Sequence, residues 1–327
     1  MKRRALLVAG GLAAIPAARR AYAQGPTPLI GMVLHGTHAT IGERVDALND
    51  ELRVLGYVDG RDYRSAVRWS ENRPDALPVI AREVVRLKPA VIVVITVLAA
   101  QAVHRESKTV PIVIAFGAGA IKAGLAASLA RPGGNVTGVV NEGDYLTEKQ
   151  FELINAIAPK ATRVGLLTSG RGRGVVYDDV VAGARKASAA FGMTLIELVA
   201  VNGDEVRGLS EQCRRERCEA LVLPIDPFLQ NLRTEILALV AELRLPCAYG
   251  YAAFAEHGGL ISYSPDILAM TRRAAHHVVR ILKGAKPADL PMERANRYDV
   301  VVNMRAAQAL GIKFPPAILV QATKVIE

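Results

Sequence analysis

Val91-Ile-Val-Val-Ile95, Ile112-Val-Ile-Ala-Phe116 and Val136-Thr-Gly-Val-Val140 are three short β-branched runs, and Ala99–Ser107, between the first two, has helical length and composition. Apolar runs of this length without polar alternation read as strands buried on both faces. Strand, helix, strand in that order implies a parallel sheet with helices on its faces. Toward the N-terminus the alternation continues. Leu29–Leu34 reads as a strand, and Ile41–Leu55 as a helix in which Ile41, Val45, Leu48, Leu52 and Leu55 recur at steps of three and four until Gly56 ends it. Tyr63–Trp69 follows as a strand, then Pro74–Leu87 as a helix with proline near its start. Between the second and third runs quoted above, Ile121–Ala130 is expected to be helical.

After Asn141-Glu142-Gly143-Asp144 the alternation restarts. Helices are expected at Glu148–Ile157, Val180–Phe191, Glu205–Cys218 and Leu229–Leu243, with strands at Val164–Leu167, Thr194–Val199, Ala220–Leu223 and Cys247–Tyr249. The expected fold class is α/β, two doubly wound parallel-sheet lobes joined by hinge strands. Gly258–Tyr263 reads as a strand ending at a hinge, and Ile267–Leu282 as a helix returning to the first lobe. Val300–Val302 and the C-terminal stretch would make a further crossing. Lobe 1 is expected over residues 24–140 with about 264–292, and lobe 2 over 141–263 with about 293–327.

Residues 1–23 read as a signal peptide. Met1-Lys2-Arg3-Arg4 is a basic cap, Ala5–Pro16 is small and apolar, and Ala21-Tyr22-Ala23 is a cleavage site. Arg3-Arg4 leaves Sec and Tat export both open. The apolar stretch is too short for a membrane span. The expected location is therefore periplasmic. The net charge of +10 falls to +5 without residues 1–23, which hold Lys2, Arg3, Arg4, Arg19 and Arg20 and no acid. So small an excess, scattered among acids, gives no reason to expect nucleic acid as a partner. Cys213, Cys218 and Cys247 are too few and too odd for a disulfide framework. Three free thiols are expected, a bridge between Cys218 and Cys247 being the alternative.

Ligands of open parallel sheets bind beyond the carboxyl ends of the strands. The candidate ligand-binding residues therefore sit in the loops that follow strands. In lobe 1 they are His35, Gly36, Thr37, Thr96, Val97, Leu98, Phe116 and Gly117; in lobe 2 they are Ser169, Gly170, Arg171, Asp226 and Tyr251. Glycines admit close backbone approach, and amides at helix starts receive a carboxylate. Phe116 and Tyr251 would flank an apolar or aromatic group. Asp226 would pair with an ammonium, and Arg171 or Arg173 with an anion. Thr37 is expected to offer its hydroxyl to ligand, so that Thr37→Ala should barely change melting. The same residue types recur in turns for backbone reasons alone. His35-x-x-His38 lacks a third metal ligand, and His276-His277 is expected at the surface. Gly170–Gly174 lacks the Gly-Lys-Ser/Thr ending of a phosphate loop, and Gly117-Ala-Gly119 is only a fragment of a dinucleotide turn. No nucleophile–base pair is recognisable. No cofactor, no metal and no catalysis are expected.

Five ordered segments carry a family likeness. They are Leu55-Gly-Tyr-Val-Asp-Gly-Arg61, Ser128-Leu-Ala-Arg-Pro-Gly-Gly-Asn-Val-Thr-Gly138, Gly258-Gly-Leu-Ile-Ser-Tyr263, Ile281-Leu-Lys-Gly-Ala-Lys-Pro-Ala-Asp-Leu-Pro291 and Ala309-Leu-Gly-Ile-Lys-Phe-Pro-Pro316. From about Leu29 to Glu327 the chain resembles the ABC transporter substrate-binding family that includes binders of tryptophan and other aromatic amino acids. The resemblance implies a type I periplasmic-binding-protein fold with a hinged cleft, and an inner-membrane permease as partner. The ligand loops depart from the family's pattern. Its Gly-Asp-Pro-Val segment is here Ala118-Gly119-Ala120-Ile121, without the acid. Its Gly-Thr-Pro is Thr96-Val97-Leu98, and its Asn-Pro is Ser169-Gly170. The expected function is the solute-binding subunit of an ABC importer, a monomer that traps a small carboxylate or other anion, or an aromatic amino acid. A ligand-sensing domain serving a receptor and a secreted two-domain α/β enzyme are the alternatives.

Overall fold

The structure is a computed structural model and describes residues 26–141, 143–170 and 175–327. The signal peptide expected over residues 1–23 and the anion partners Arg171 and Arg173 lie outside the described residues. The first part of the chain forms β1 (Leu29–Leu34), α1 (His38–Val54), β2 (Arg64–Trp69), α2 (Leu77–Arg86), β3 (Val91–Val94), α3 (Val97–Glu106), β4 (Ile112–Ile114) and β5 (Val136–Val140). Next come α4 (Gly143–Ile157), β6 (Arg163–Thr168), α5 (Val175–Ala190), β7 (Thr194–Val199), α6 (Gly203–Arg215), β8 (Ala220–Leu223), α7 (Arg233–Leu243) and β9 (Cys247–Tyr249). The chain closes with α8 (Ala252–Glu256), β10 (Ile261–Pro265), α9 (Ile267–Leu282), β11 (Glu293–Arg294), β12 (Tyr298–Asn303), α10 (Met304–Leu310), α11 (Pro316–Gln321) and β13 (Lys324–Ile326).

Two sheets result, both of the α/β class expected. One has the order β11-β5-β4-β3-β1-β2 and the other β13-β12-β10-β9-β8-β6-β7. Every pairing is parallel except β10 with β12. The sequence patterns fit these places. β3, β4 and β5 sit inside their sheet and are buried at every residue, whereas the edge strands β2 and β7 keep exposed positions. Each sheet is covered on both faces. α1 and α9 lie over one core of the first sheet, α2 and α3 over the other. α4, α5 and the C-terminal helices cover one face of the second sheet, and α6, α7 and α8 its opposite face.

The chain passes between the sheets after β5, after β10 and after β11. Tyrosines mark all three passages. The rings of Tyr263 and Tyr298 stack 5.5 Å apart, and Tyr145 meets Tyr298 edge-on at 6.1 Å. The amide of Asp266 donates to the carbonyl of Arg297 at 3.0 Å, tying the second passage to the third.

Two sequence expectations fail. Ile121–Ala130 is not a helix. Only one turn forms, with the Ala123 amide on the Gly119 carbonyl at 2.8 Å, before the chain reverses at Gly124 with φ +70°. Its alanine-rich composition favours a helix, but the glycine conformation at position 124 ends it. Nor is the His276-His277 pair at the surface. His276 bonds Glu51 of α1 at 3.0 Å. His277 is 1% exposed and its Nε2 lies 3.1 Å from the Pro291 carbonyl, because it shares the buried face of α9 with Ala274, Val278 and Ile281.

Candidate functional site

Both sheets reverse their strand order at equivalent points, between β1 and β3 in the first and between β6 and β8 in the second. A crevice opens outside the strand ends at such a switch point. The loops after β1, β3, β6 and β8 therefore face one another, and those after β4 and β9 flank them.

Contacts across the lobes define the centre of this cleft. The rings of His35, after β1, and Phe228, after β8, lie 5.0 Å apart. Arg44 reaches from α1 to Gln230 of the second lobe, with Nη2 3.4 Å from Oε1. Its guanidinium also stands over the Phe116 ring, 5.8 Å from the centroid. Arg44 is only 5% exposed, although no carboxylate pairs with it among the described residues. Burial lowers its pKa, and the nearby Tyr251 hydroxyl and Glu43 oppose that shift.

His35 Nδ1 shares a hydrogen with Ser70 Oγ at 2.9 Å, and burial lowers the imidazole's pKa. Tyr251 is buried at the start of α8, and burial pushes its phenol pKa up against the pull of Arg44. Gly250 is what lets Tyr251 come so close to the β8 loop, since a Cβ there would stand 2.4 Å from the Ile225 amide nitrogen. His35 Nε2, Arg44 Nε and Tyr251 Oη are all buried without a hydrogen-bond partner. So is Asn141 Oδ1, where the first passage leaves β5. Eight buried side-chain atoms lack a partner among the described residues, and these four belong to elements that border the cleft.

A cavity of about 420 Å³ opens between the lobes where the chain leaves β5, and of the cleft residues just named only Asn141 lines it. Asn141 and Tyr145 line it at the first passage, Lys122 in the first lobe, and Glu148, Asp179 and Lys186 in the second. Charges of both signs thus meet there. Lys122 pairs with Asp179 across the lobes, and Lys186 with Glu148 at 2.8 Å.

The residues singled out from sequence have diverse roles. Thr37 Oγ1 caps α1, accepting from the Thr40 amide at 3.2 Å within a capping box. Its hydroxyl therefore has a structural role, and the expectation that Thr37→Ala would leave melting unchanged is corrected. Thr96 caps α3 in the same way, with the Ala99 amide at 3.1 Å. The side chains of Val97 and Leu98 pack with the core between the first sheet and α2–α3, so they are corrected from ligand contacts to core. Gly36 is buried, with φ +147°. Gly117 lets the β4 loop pack on α3, because a Cβ would meet Val97 Cγ2 at 2.9 Å. Phe116 is buried under Arg44.

Asp226 already serves the second lobe. It accepts from the Ser169 amide at 2.8 Å, the Phe228 amide at 2.9 Å and the Leu229 amide at 3.4 Å. Burial raises its pKa, and these hydrogen bonds oppose that shift. Gly170 follows Ser169 with φ +59°. Sequence reasoning missed Arg44, Ser70, Asn141, Phe228 and Gln230. Arg44 did carry a signal, since it lies three residues after Ile41 and four before Leu48 on the buried face of α1.

Two α/β lobes crossed three times by the chain, with a polar cleft between their switch points, define a type I periplasmic binding protein. The comparisons agree. The profile of the ABC transporter substrate binding protein family matches residues 30–326, and the chain belongs to that family. A tyrosine-binding protein of Clostridioides difficile is 24% identical over 273 residues, 82% of this chain and 75% of the relative. The ABC domain of Streptococcus pneumonia in complex with L-Trp superposes with TM-score 0.84 at 26% identity, covering 92% of this chain and all of that one. A conserved domain protein of Vibrio cholerae O1 biovar eltor superposes with TM-score 0.85 at 25% identity, covering 91% and 99%. Among the described residues no helix is long and apolar enough to cross a membrane, and no metal-binding cluster of His, Cys, Asp and Glu forms.

Proposed function

We propose that this chain is the extracytoplasmic solute-binding subunit of an ABC importer. It holds a carboxylate-bearing small molecule with an aromatic or apolar body between its lobes and presents it unchanged, as a monomer, to a membrane permease. The convergence of His35 Nε2, Arg44 Nε and Tyr251 Oη, three buried polar atoms without partners, carries this reading. Each can donate to an oxygen, and buried donors are stabilised when an acceptor meets them. A carboxylate supplies several lone pairs at one point and a charge to match Arg44. Phe116 and Phe228 add ring faces beside this point.

An aromatic amino acid is the leading candidate ligand. The curated relative binds tyrosine, and the pneumococcal structure holds L-Trp. Asn141 Oδ1, buried and without a partner, is an acceptor for its ammonium. A second reading is an aromatic carboxylate without an ammonium. It is favoured by Asp226, whose oxygens already accept three amides, and by Ala118–Ile121, which lacks the family's acid.

A thermal-shift and calorimetric series separates the two. L-Trp, L-Tyr and L-Phe are compared with indole-3-propionate and 3-phenylpropionate. Binding of the amino acids alone supports the first reading, and binding of the propionates with equal or greater affinity the second. If neither group binds while neutral sugars or polyols do, the carboxylate reading fails. Native mass spectrometry of the freshly purified protein identifies any co-purified ligand and shows whether it is chemically intact.

A further inference from the structure

The last turn of α6 closes on itself in a way that brings two cysteines together, on the side of the second lobe away from the cleft. The Cys218 amide donates to the Cys213 carbonyl at 2.9 Å, and the Arg217 amide to the Arg214 carbonyl at 3.1 Å. Arg217 adopts φ +53° between them. This pair of bonds, with a left-handed residue after the helix cap, is the Schellman closure. Its geometry places the side chains two residues past the cap and three before it in contact, usually as an apolar pair. Here both are cysteines. With the amide–carbonyl bond at 2.9 Å, standard backbone dimensions hold the two Cα atoms within about 6.8 Å, inside the span a disulfide accepts. Cys218 is half-buried, its sulfur beside Gly165 of β6, whereas Cys213 is 1% exposed.

We propose that Cys213 and Cys218 form a redox-closable pair, a modification site at which a small-molecule or thioredoxin-like disulfide oxidises two thiols to one intramolecular disulfide. The Cys218 thiolate attacks the reagent disulfide, forming a mixed disulfide and releasing one reagent thiol. The Cys213 sulfur then attacks Cys218 Sγ, and the second reagent thiol leaves. Two electrons and two protons pass to the reagent, which ends as two thiols. The neighbouring Cys213 thiol and Arg163 lower the Cys218 pKa, while the proximity of Cys218 and burial raise that of Cys213, so Cys218 is the attacking thiolate. Cys247 is fully buried on β9 and takes no part. The closed ring of six residues joins the end of α6 to the start of β8.

The test treats the purified full chain with oxidised glutathione, then quenches and denatures it. Titratable thiols should fall from three to one, with a mass loss of two hydrogens. Trypsin cuts at Arg214, Arg215 and Arg217 inside the ring, so the cross-link should appear as two peptides joined through Cys213 and Cys218. Cys213→Ser should stop at a glutathione adduct on Cys218. Oxidation should raise the melting temperature of the wild type, leave that of Cys213→Ser unraised, and leave ligand affinity unchanged in both. Three thiols remaining under conditions that oxidise a dithiol control would overturn the proposal. So would a stable adduct on wild-type Cys218, or a cross-link through Cys247.

Discussion

Arg44→Met tests the cleft most directly, because it should move ligand affinity and ligand-free stability in opposite directions. Arg44 is a cation 5% exposed on the inner face of α1, with an Nε lacking a partner and a 3.4 Å bond to Gln230 that is long for its type. In the ligand-free protein, methionine loses that weak bond and a cation–π contact with Phe116, together about 1–2 kcal/mol. It also ends the burial of an unpaired charge, whose desolvation costs several kcal/mol per ion. The ligand-free melting temperature should therefore stay level or rise by a few degrees, at about 2–4 °C per kcal/mol for a chain of this size. With ligand, methionine removes charge-assisted hydrogen bonds to the carboxylate, about 1.5–3 kcal/mol. That is a loss of affinity of roughly 10- to 150-fold. Arg44→Lys keeps the charge but not the planar fork, and should fall between the two. Titration calorimetry and scanning calorimetry read the two quantities separately. An affinity within twofold of wild type would remove Arg44 from the site. A large fall in the ligand-free melting temperature would show that the side chain serves the fold instead.

Four further outcomes follow from the same contacts. Thr37→Ala deletes the α1 cap and should lower stability by about 0.5–2 kcal/mol in denaturant unfolding, while Thr37→Ser restores it. The His35 imidazole has a pKa lowered from 6.5 by burial, so its stabilising contribution is complete above that pH and is lost as pH falls through and below it. Melting between pH 7.5 and pH 5 should therefore drop more for wild type than for His35→Asn, and equal drops would refute the assignment. Asp226→Asn offers one acceptor oxygen where two now receive the Ser169 and Phe228–Leu229 amides, and should destabilise the ligand-free protein by about 1–3 kcal/mol; an unchanged unfolding midpoint would return Asp226 to candidacy as a dedicated ligand group. Gly250→Ala sets a Cβ 2.4 Å from backbone that cannot rotate away, so the melting temperature and ligand affinity should fall together, by about 1–3 kcal/mol in stability.

The strands were the most legible part of the sequence because their apolar runs are uninterrupted and short. Leu29–Leu34, Ala220–Leu223 and Cys247–Tyr249 agree with the structure residue for residue, as does the helix Ile267–Leu282. Ile121–Ala130 misled because composition reports side-chain preference, whereas Gly124 decides the backbone. The site was less legible for a different reason. Loop position after a strand says which end of the sheet a residue occupies, but not whether its side chain is spent locally. Thr37 and Thr96 stand before helical runs, where a hydroxyl caps the helix whether or not a ligand is near. Arg44 sits inside a helix, and one cation in an amphipathic pattern looks like a solvated residue until a second lobe closes over it. His277 is the same case within one lobe, covered by the chain that returns past Pro291.

The lobe-to-lobe contacts also bear on what holds the cleft closed. The Lys122–Asp179 pair is well exposed on the lysine side, and such pairs contribute about 0–1 kcal/mol. The Arg44–Gln230 bond is long, and the stacked tyrosines lie on the passages themselves, where a hinge rotation can leave them together. These polar contacts between the lobes are therefore weak, and a ligand can shift the equilibrium only by its differential affinity for the closed form. The unpartnered groups are divided so as to create that difference. Arg44 belongs to α1 of the first lobe and Tyr251 to the second, so under the proposed function a carboxylate would bond groups of both lobes only in a closed form. A ligand too small to span them would bind one lobe and leave the equilibrium where it was, however well it fitted there. Selectivity in such a cleft comes from reach between the two lobes as much as from contact with either one.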